Sequence, residues 1–429
     1  MFQKLRRICF CALLVTMTFR HYAKADSQSF HHDLKTAAAK GVQVRYEKFD
    51  ERGVFIEKSY VQVLPSQQRP NRTAQHKIIS ANSEDTSKNK INLVIIGDGY
   101  TKNEMSLYRK QVDEKVNELF AQEPLKEYKN YFNVIIIESE SDTSGIADSE
   151  ADSGRTAFGM YFNCGGLERL ICIDLNKVAV AVKDLPKVDM IFALANTEKY
   201  GGAGYLKPAI ATLSAGHKLS TELALHEFGH SFAKLTDEYE DEDHSTDCDN
   251  YANASSIDSH QMKAEKKKWF SWLHLNHVGT FSGGCYNKKI FRPTDVSKMR
   301  SLKHPFYEVN SEQIVKQIYK KTNVVTSAEL TSDMDGHFEI QINHLQNDSN
   351  SVKIKWFADE LELEQFENLN RIKLRSLNFN RENLIVTAIV QDETPQLRDE
   401  EFRATNMTRK MQWEINLPRP TKNQNRASN

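Results

Sequence analysis

Cysteine is scarce in this chain. Six residues in 429 are too few for a disulfide-dense scaffold, and they lack the C-x-x-C spacing of a four-thiolate metal site. An excess of one charge sign is missing too. Lys and Arg number 57 against 58 Asp and Glu, so there is no basic surplus to bind a nucleic-acid backbone. The densest basic run, Lys266 to Lys268, reads as a solvated face. Proline and glycine are sparse, at 10 and 18 residues, and form no repeat, which excludes collagen-like and low-complexity chains. No apolar run approaches the roughly 20 residues that span a bilayer. What is present is an ordinary globular balance, 39% hydrophobic and 27% charged, on a chain long enough for two or three domains.

The apolar run Ile8 to Phe19 follows Lys4, Arg6 and Arg7 and precedes Ala23-Lys24-Ala25. A basic start, a short apolar core and a small-x-small site mark a cleaved signal peptide. Residues 1–25 are therefore expected to direct export, to the periplasm or the extracellular space, and to leave a mature chain with no membrane span. Their loss leaves 52 basic residues against 58 acidic, a net charge of −6, and four cysteines. An oxidising compartment favours two disulfides. Of the three pairings the nearest in sequence, Cys164 with Cys172 and Cys248 with Cys285, are expected.

Residues 41–64 alternate apolar positions (Val42, Val44, Tyr46), turn at Glu51-Arg52-Gly53 and continue in a second β-rich run. With the polar stretch SANSEDTSKNK at 80–90 as linker, this predicts a small N-terminal β domain over 26–88. From Ile91 the pattern changes: INLVIIGDGY is a buried strand, 103–120 a helical segment and NVIIIES a second strand, an α/β beginning. Further strands are expected at Leu170–Ile173 and Asp189–Ala195, the latter followed by GGAGY at 201–205. That glycine run is either a plain turn or a cleft edge to which an extended peptide adds by backbone hydrogen bonds. Beyond Asn323 short β-rich runs recur (HFEIQI, SVKIKWF, NLIVTAIVQD, MQWEINL), predicting an immunoglobulin-like β-sandwich over 323–420 and a tail at 421–429.

The chemistry is concentrated in STELALHEFGHSFAKLTDEYE, residues 220–240. Ser220 is a good N-cap, and Leu225, Phe228, Phe232 and Leu235 draw one apolar stripe along a helix. His226 and His230 fall together on the opposite side, one turn apart, so both imidazoles can reach one ion. Two imidazoles and one further ligand leave zinc an open position for water, and the intervening Glu227 is the residue type that takes the water's proton and delivers it to a leaving amine. The third ligand is less defined. Thr236 stands where the elongated HExxHxxGxxH motif has its last histidine, and Ala233 replaces that motif's glycine. Asp237 comes next, and on an unbroken helix it would lie about 10 Å further along. Its ligation therefore requires the chain to leave the helix after about Lys234; Glu238 or a distant residue are the alternatives.

This segment resembles the IgA-peptidase family of zinc metallopeptidases, metallopeptidase family 64, a metzincin-like group with HExGH followed by L-x-D-E-Y. The matching residues are His226, Glu227, Gly229, His230, Leu235, Asp237, Glu238 and Tyr239. The likeness extends upstream through Gly97-Asp98-Gly99-Tyr100, YFNV at 131 and Cys164 to Leu170, and downstream to FRPTDVSKMR. It implies an α/β zincin-like (metzincin-type) catalytic domain over 89–322, between the two β segments. It also implies a peptidase acting on protein or peptide with one catalytic zinc, and Met299 as the methionine of a turn beneath the metal.

Other features carry less. Tyr286 in Gly283-Gly284-Cys285-Tyr286 is an oxyanion donor or, more simply, a buried tyrosine with a structural partner. The acidic run DEYEDED at 237–243 has the charge to attract calcium but no EF-hand spacing, and reads as a solvated loop. Nothing in the sequence sets an oligomeric state. Two rival functions stand beside the peptidase: a surface-binding or adhesive protein with a non-proteolytic zinc site, and a metallohydrolase of other amides. The hydrolase reading requires that the water position be open to solvent.

Overall fold

The computed structural model describes residues 27–65, 76–80, 89–205, 207–240, 247–333, 337–375 and 383–416. The expected signal peptide, most of the expected linker and the tail fall outside them. The chain begins with α1 (Ser27–Lys40), the hairpin β1 (Val42–Phe49) and β2 (Phe55–Val63), and β3 (His76–Ser80). There follow β4 (Ile91–Asp98), α2 (Met105–Leu119), β5 (Phe132–Ser139), α3 (Leu175–Val182), β6 (Met190–Ala195), β7 (Gly202–Tyr205), β8 (Ile210–Ser214) and α4 (Ser220–Ser231). Next are α5 (Ser259–Glu265), the hairpin β9 (Phe281–Gly284) and β10 (Asn287–Arg292), and α6 (Tyr307–Lys321).

One eight-stranded mixed sheet, in the order β2-β1-β7-β8-β6-β4-β5-β3, organises this half. Its centre is parallel, β5-β4-β6-β8, and every residue of β4 and β6 is buried. Coverage on both faces is why these strands are continuous apolar runs rather than alternating ones. Phe30 and Leu34 of α1 and Val178 and Val182 of α3 close one face. Helices α2, α4 and α6 close the other, with Tyr108, Leu225, Phe228 and Ile314 in its core.

The separate N-terminal β domain expected over 26–88 is corrected by this topology. Strands β1 and β2 extend one edge of the sheet through β7, and β3 pairs with β5 at the other. Local alternation marks a strand but not its distant partner: Arg45 of β1 lies opposite Gly204, and His76 of β3 opposite Ser139. The strand expected at Leu170–Ile173 is reduced to a single bridge, Cys172 with Tyr161; a buried apolar run reads alike in a strand and in a packed loop.

The C-terminal half comprises β11 (Val325–Ser332), β12 (His337–His344), β13 (Val352–Ala358), β14 (Leu361–Glu362), β15 (Arg371–Arg375), β16 (Asn383–Asp392), α7 (Glu400–Asn406) and β17 (Thr408–Asn416). These strands form antiparallel sheets β11-β12-β15 and β14-β13-β16-β17. Alternation along β12 and β13 points Ile340, Ile342, Ile354 and Trp356 into a core continuous with that beneath α4 and α6. No described helix is long and apolar enough to cross a membrane.

Candidate metal centre

Helix α4 is buried nearly all round: Leu225, Phe228 and Phe232 face the core, and His226, Glu227 and His230 face the β1–β2 hairpin. Ser220 is its first residue, not its cap, and donates its hydroxyl to the His217 carbonyl at 2.6 Å. The helix stops at Ser231. Lys234 then adopts a left-handed conformation (φ 59°), and Leu235 donates its amide to the Gly229 carbonyl at 3.0 Å. This reversal, in the place where Asp237 required one, folds the chain back across the helix end instead of letting it run on for about 10 Å.

The two imidazoles are fixed from behind. His226 Nδ1 lies 2.8 Å from the Lys298 carbonyl and His230 Nδ1 2.9 Å from the Leu235 carbonyl. Those acceptors take the Nδ1 protons and leave both Nε2 lone pairs pointing inward. The Nε2 atoms are 3.0 Å apart, and Asp237 Oδ1 lies 3.4 Å from that of His226 and 3.3 Å from that of His230. A tetrahedral ion with bonds of about 2.0–2.1 Å has ligand edges of about 3.3 Å, so this triangle has the dimensions of one face of such a site.

A fourth donor stands there that the sequence did not disclose. Glu47, on β1, places Oε2 2.5 Å from His226 Nε2. Glu47, His226, His230 and Asp237 each bring one ligand atom within 4.8 Å of all the others. Glu47 Oε2 and Asp237 Oδ1 are buried without a hydrogen-bond partner. Two carboxylate oxygens and two bare imidazole nitrogens converging on one point repel one another unless a cation sits between them. The donor set, two imidazoles and two carboxylates, suits zinc.

Arg45, two residues before Glu47 on the same face of β1, is the one guanidinium among the described residues in contact with the site. It donates to Glu47 and to the Tyr286 hydroxyl at 2.9 Å, and is ion-paired with Asp237. Tyr286 in turn donates to Asp237, and Tyr239 donates to Glu47. Against the cost of burial, Arg45 holds the Glu47 carboxylate well below its ordinary range. Burial and then the Arg45 charge drive His230 well down, favouring the neutral imidazole. Burial, reinforced by the Glu47 charge, pushes Glu227 up to about 7.

Glu227 Oε2 is buried and unpartnered. A Cβ on Gly204 would meet it at 1.9 Å, and one on Gly202 would meet Leu223 Cδ2 at 2.8 Å. Gly202 and Gly204 therefore form no turn. They are in β7, bare so that α4 can approach, and an extended strand, β1, is added to that edge with Arg45 opposite Gly204.

The water position required by the hydrolase reading is not open. None of Glu47, His226, Glu227, His230 and Asp237 is more than 4% exposed. The hairpin covers them, with the Phe49 ring 5.2 Å from that of His226 and Phe55 stacked on Tyr239.

The other singled-out residues have clear places. Glu238 turns away from the histidines and accepts from Asn253, Asn310 and Ser297. Met299 is fully buried beneath α4, where a Cβ on Gly229 would meet its sulfur at 2.4 Å. Tyr286 has the structural partners named above. Both expected disulfides, Cys164–Cys172 and Cys248–Cys285, are formed. The second ties down Cys285, whose amide donates to the Asp237 carbonyl at 2.8 Å. Residues 241–243 of the acidic run lie outside the described residues. Sequence reasoning missed Glu47 and Arg45. Their one signal is a pair of opposite charges two apart inside a strand, which reads as a solvent face.

No curated protein gives a significant match to the chain. Residues 79–276 match the family described as IgA Peptidase M64, a stretch that holds His226, Glu227, His230 and Asp237 and leaves the β1–β2 hairpin outside. That match lies over both imidazoles and Asp237 but not over Glu47, and residues 79–276 are similar to the IgA peptidases of family M64.

Proposed function

We propose that the protein is an exported zinc-dependent endopeptidase, with His226, His230 and Asp237 as metal ligands and Glu227 as general base and acid. The observation that carries this reading is the triangle of His226 Nε2, His230 Nε2 and Asp237 Oδ1, with edges of 3.0–3.4 Å, beside Glu227, a buried carboxylate with an unpartnered oxygen on the helix of the two histidines. When bound, zinc supplies a Lewis acid that polarises the scissile carbonyl and brings the pKa of water down to about 7. Glu227 accepts the proton of the attacking water and returns it to the departing amine, tasks suited to a carboxyl that titrates at about 7. Asp237, held by Arg45 and Tyr286, keeps its free oxygen toward the imidazoles. Export is supported by the leader-like N-terminus and the two disulfides. Met299 under α4 and an antiparallel β7 beside a parallel sheet support the metzincin-type arrangement. The three- and four-stranded sheets beyond Asn323 support the immunoglobulin-like sandwich.

A second reading draws on Glu47: four protein donors closing a buried site are the mark of a structural metal, as in a surface-binding protein. Glu227 speaks against it. A buried carboxylate oxygen with no partner costs stability, and a structural ion gains nothing from it.

The test is metal content together with cleavage of an unfolded protein. We expect one zinc per chain, lost in His226→Ala and Asp237→Ala. Glu227→Gln should keep the metal and lose cleavage by about 100-fold or more. Cleavage that persists in metal-replete Glu227→Gln overturns the mechanism.

A further inference from the structure

Strand β1 joins the sheet in an unusual way. Its eight residues pair with β2 along their whole length, but only Val44 and Arg45 pair with β7. It enters the β7 edge as an extended peptide adds to an exposed strand, by backbone pairing with side chains delivered to alternate faces. Val44 and Tyr46 go to the core side; Arg45, Glu47 and Phe49 go to the metal side. On that side each contact closes the centre. Glu47 supplies the fourth donor, Arg45 ties the strand to Asp237 and Tyr286, and Phe49 covers the edge of His226. The turn is fastened at its tip: the Ser301 hydroxyl and the Leu302 amide both donate to the Gly53 carbonyl at 2.7 Å, and Lys303 donates to that of Glu51. The hairpin also precedes the family-matched stretch, which begins at residue 79.

We infer that the β1–β2 hairpin is a built-in inhibitor of this site. It occupies the edge where an extended substrate would lie, and Glu47 takes the coordination position that the attacking water needs. The protein as described is then the closed form, and withdrawal of β1 from β7 opens it. This rests on the peptidase reading above. It accounts for three facts at once: a complete set of protein donors, complete burial, and a general-base residue with no partner. If the closed form dominates, observed turnover is the intrinsic turnover multiplied by the small open fraction.

The experiment uses the full chain loaded with cobalt(II), whose visible absorption reports ligand exchange, and azide as an added ligand. In the wild type, azide should leave the spectrum unchanged and cleavage of an unfolded protein should be slow. In Glu47→Ala the metal should stay on His226, His230 and Asp237, azide should shift the spectrum, and cleavage should rise roughly tenfold or more. Gly53→Ala leaves all four donors in place but strains the turn, because Gly53 has φ 87° and its Cβ would meet Leu302 Cβ at 2.9 Å. It should also admit azide and raise cleavage, by less. The inhibitor claim is overturned if azide already reaches the wild-type metal. It is equally overturned if metal-replete Glu47→Ala, or a folded Gly53→Ala should the former not fold, is as closed and as slow as wild type. Azide access in Glu47→Ala without any cleavage leaves the occlusion standing and removes the peptidase reading.

Discussion

Between His226 and His230 stands Gly229, and its cost and its purpose can be weighed. Glycine inside a helix is worth about 1 kcal/mol less than alanine, so Gly229→Ala would stabilise α4 if there were room. There is none: the new Cβ would lie 2.4 Å from Met299 Sδ and 3.1 Å from its Cε. Overpacking of that kind costs about 1–3 kcal/mol, more than the helix gains. Gly229→Ala is therefore expected to lower the unfolding free energy by about 1–2 kcal/mol in urea and to weaken metal retention against a chelator. Because the collision is with one side chain, Met299→Ala in the same chain should recover part of the loss. The double-mutant cycle should show a coupling of about 1 kcal/mol. Additivity within about 0.5 kcal/mol would mean that Met299 does not set the height of the helix.

The elements differ in how plainly the sequence declares them. The buried runs of β4, β5 and β6 and the period of α2 and α4 were readable because each records its own burial pattern. The exit from α4 before Asp237 was readable as a geometric requirement, although the residue that makes the turn is Lys234, in a left-handed conformation that favours glycine. Partnership was not readable: nothing near Arg45 says that it will lie opposite Gly204, 159 positions on. A glutamate inside a strand then passes for a solvent-facing residue, and so nothing in the sequence sets Glu47 beside the two histidines. A second device at element scale joins the start of α2 to two distant loops. Glu104 accepts from the Thr101 amide and hydroxyl, from Ser144 at 2.6 Å and from Asn196 at 3.3 Å. Despite partial burial, which works the other way, these donors hold its carboxyl at about 2. A depressed carboxyl stabilises the fold fully above its unfolded value, about 4.3, and ceases to do so as pH falls toward 2. Glu104→Gln should cost on the order of 1 kcal/mol at pH 7, a capping-sized loss on a largely solvated group. The gap between wild type and variant in urea unfolding should close on acidification from pH 5 to pH 2.5; a gap independent of pH would show that the carboxylate charge plays no part.

At the scale of the whole molecule, the question is whether the C-terminal sheets move as a body apart from the eight-stranded sheet and its helices. The boundary between them is polar as well as apolar. Asp392, at the end of β16, is fully buried and accepts from Tyr128 at 3.0 Å and Tyr319 at 2.6 Å; Tyr131 and Tyr319 join hydroxyls at 2.6 Å. On its own side it accepts from Ser351 and from the Thr394 amide at 2.9 Å. Tyr319 lies on α6, which shares its apolar core with α4, so one carboxylate connects the C-terminal sheets to the support of α4. Asp392→Ala would leave several buried donors without an acceptor, a loss of about 3–5 kcal/mol by the measure of broken buried charge networks. Since the apolar core runs unbroken across the same boundary, the wild type should unfold in one transition, with fluorescence and circular dichroism coincident. Asp392→Ala should lower that midpoint, and the two probes should separate as the C-terminal sheets loosen first. A variant within about 0.5 kcal/mol of wild type, with coincident probes, would mean that the tyrosine hydroxyls find other partners and that the apolar contact alone unites the halves.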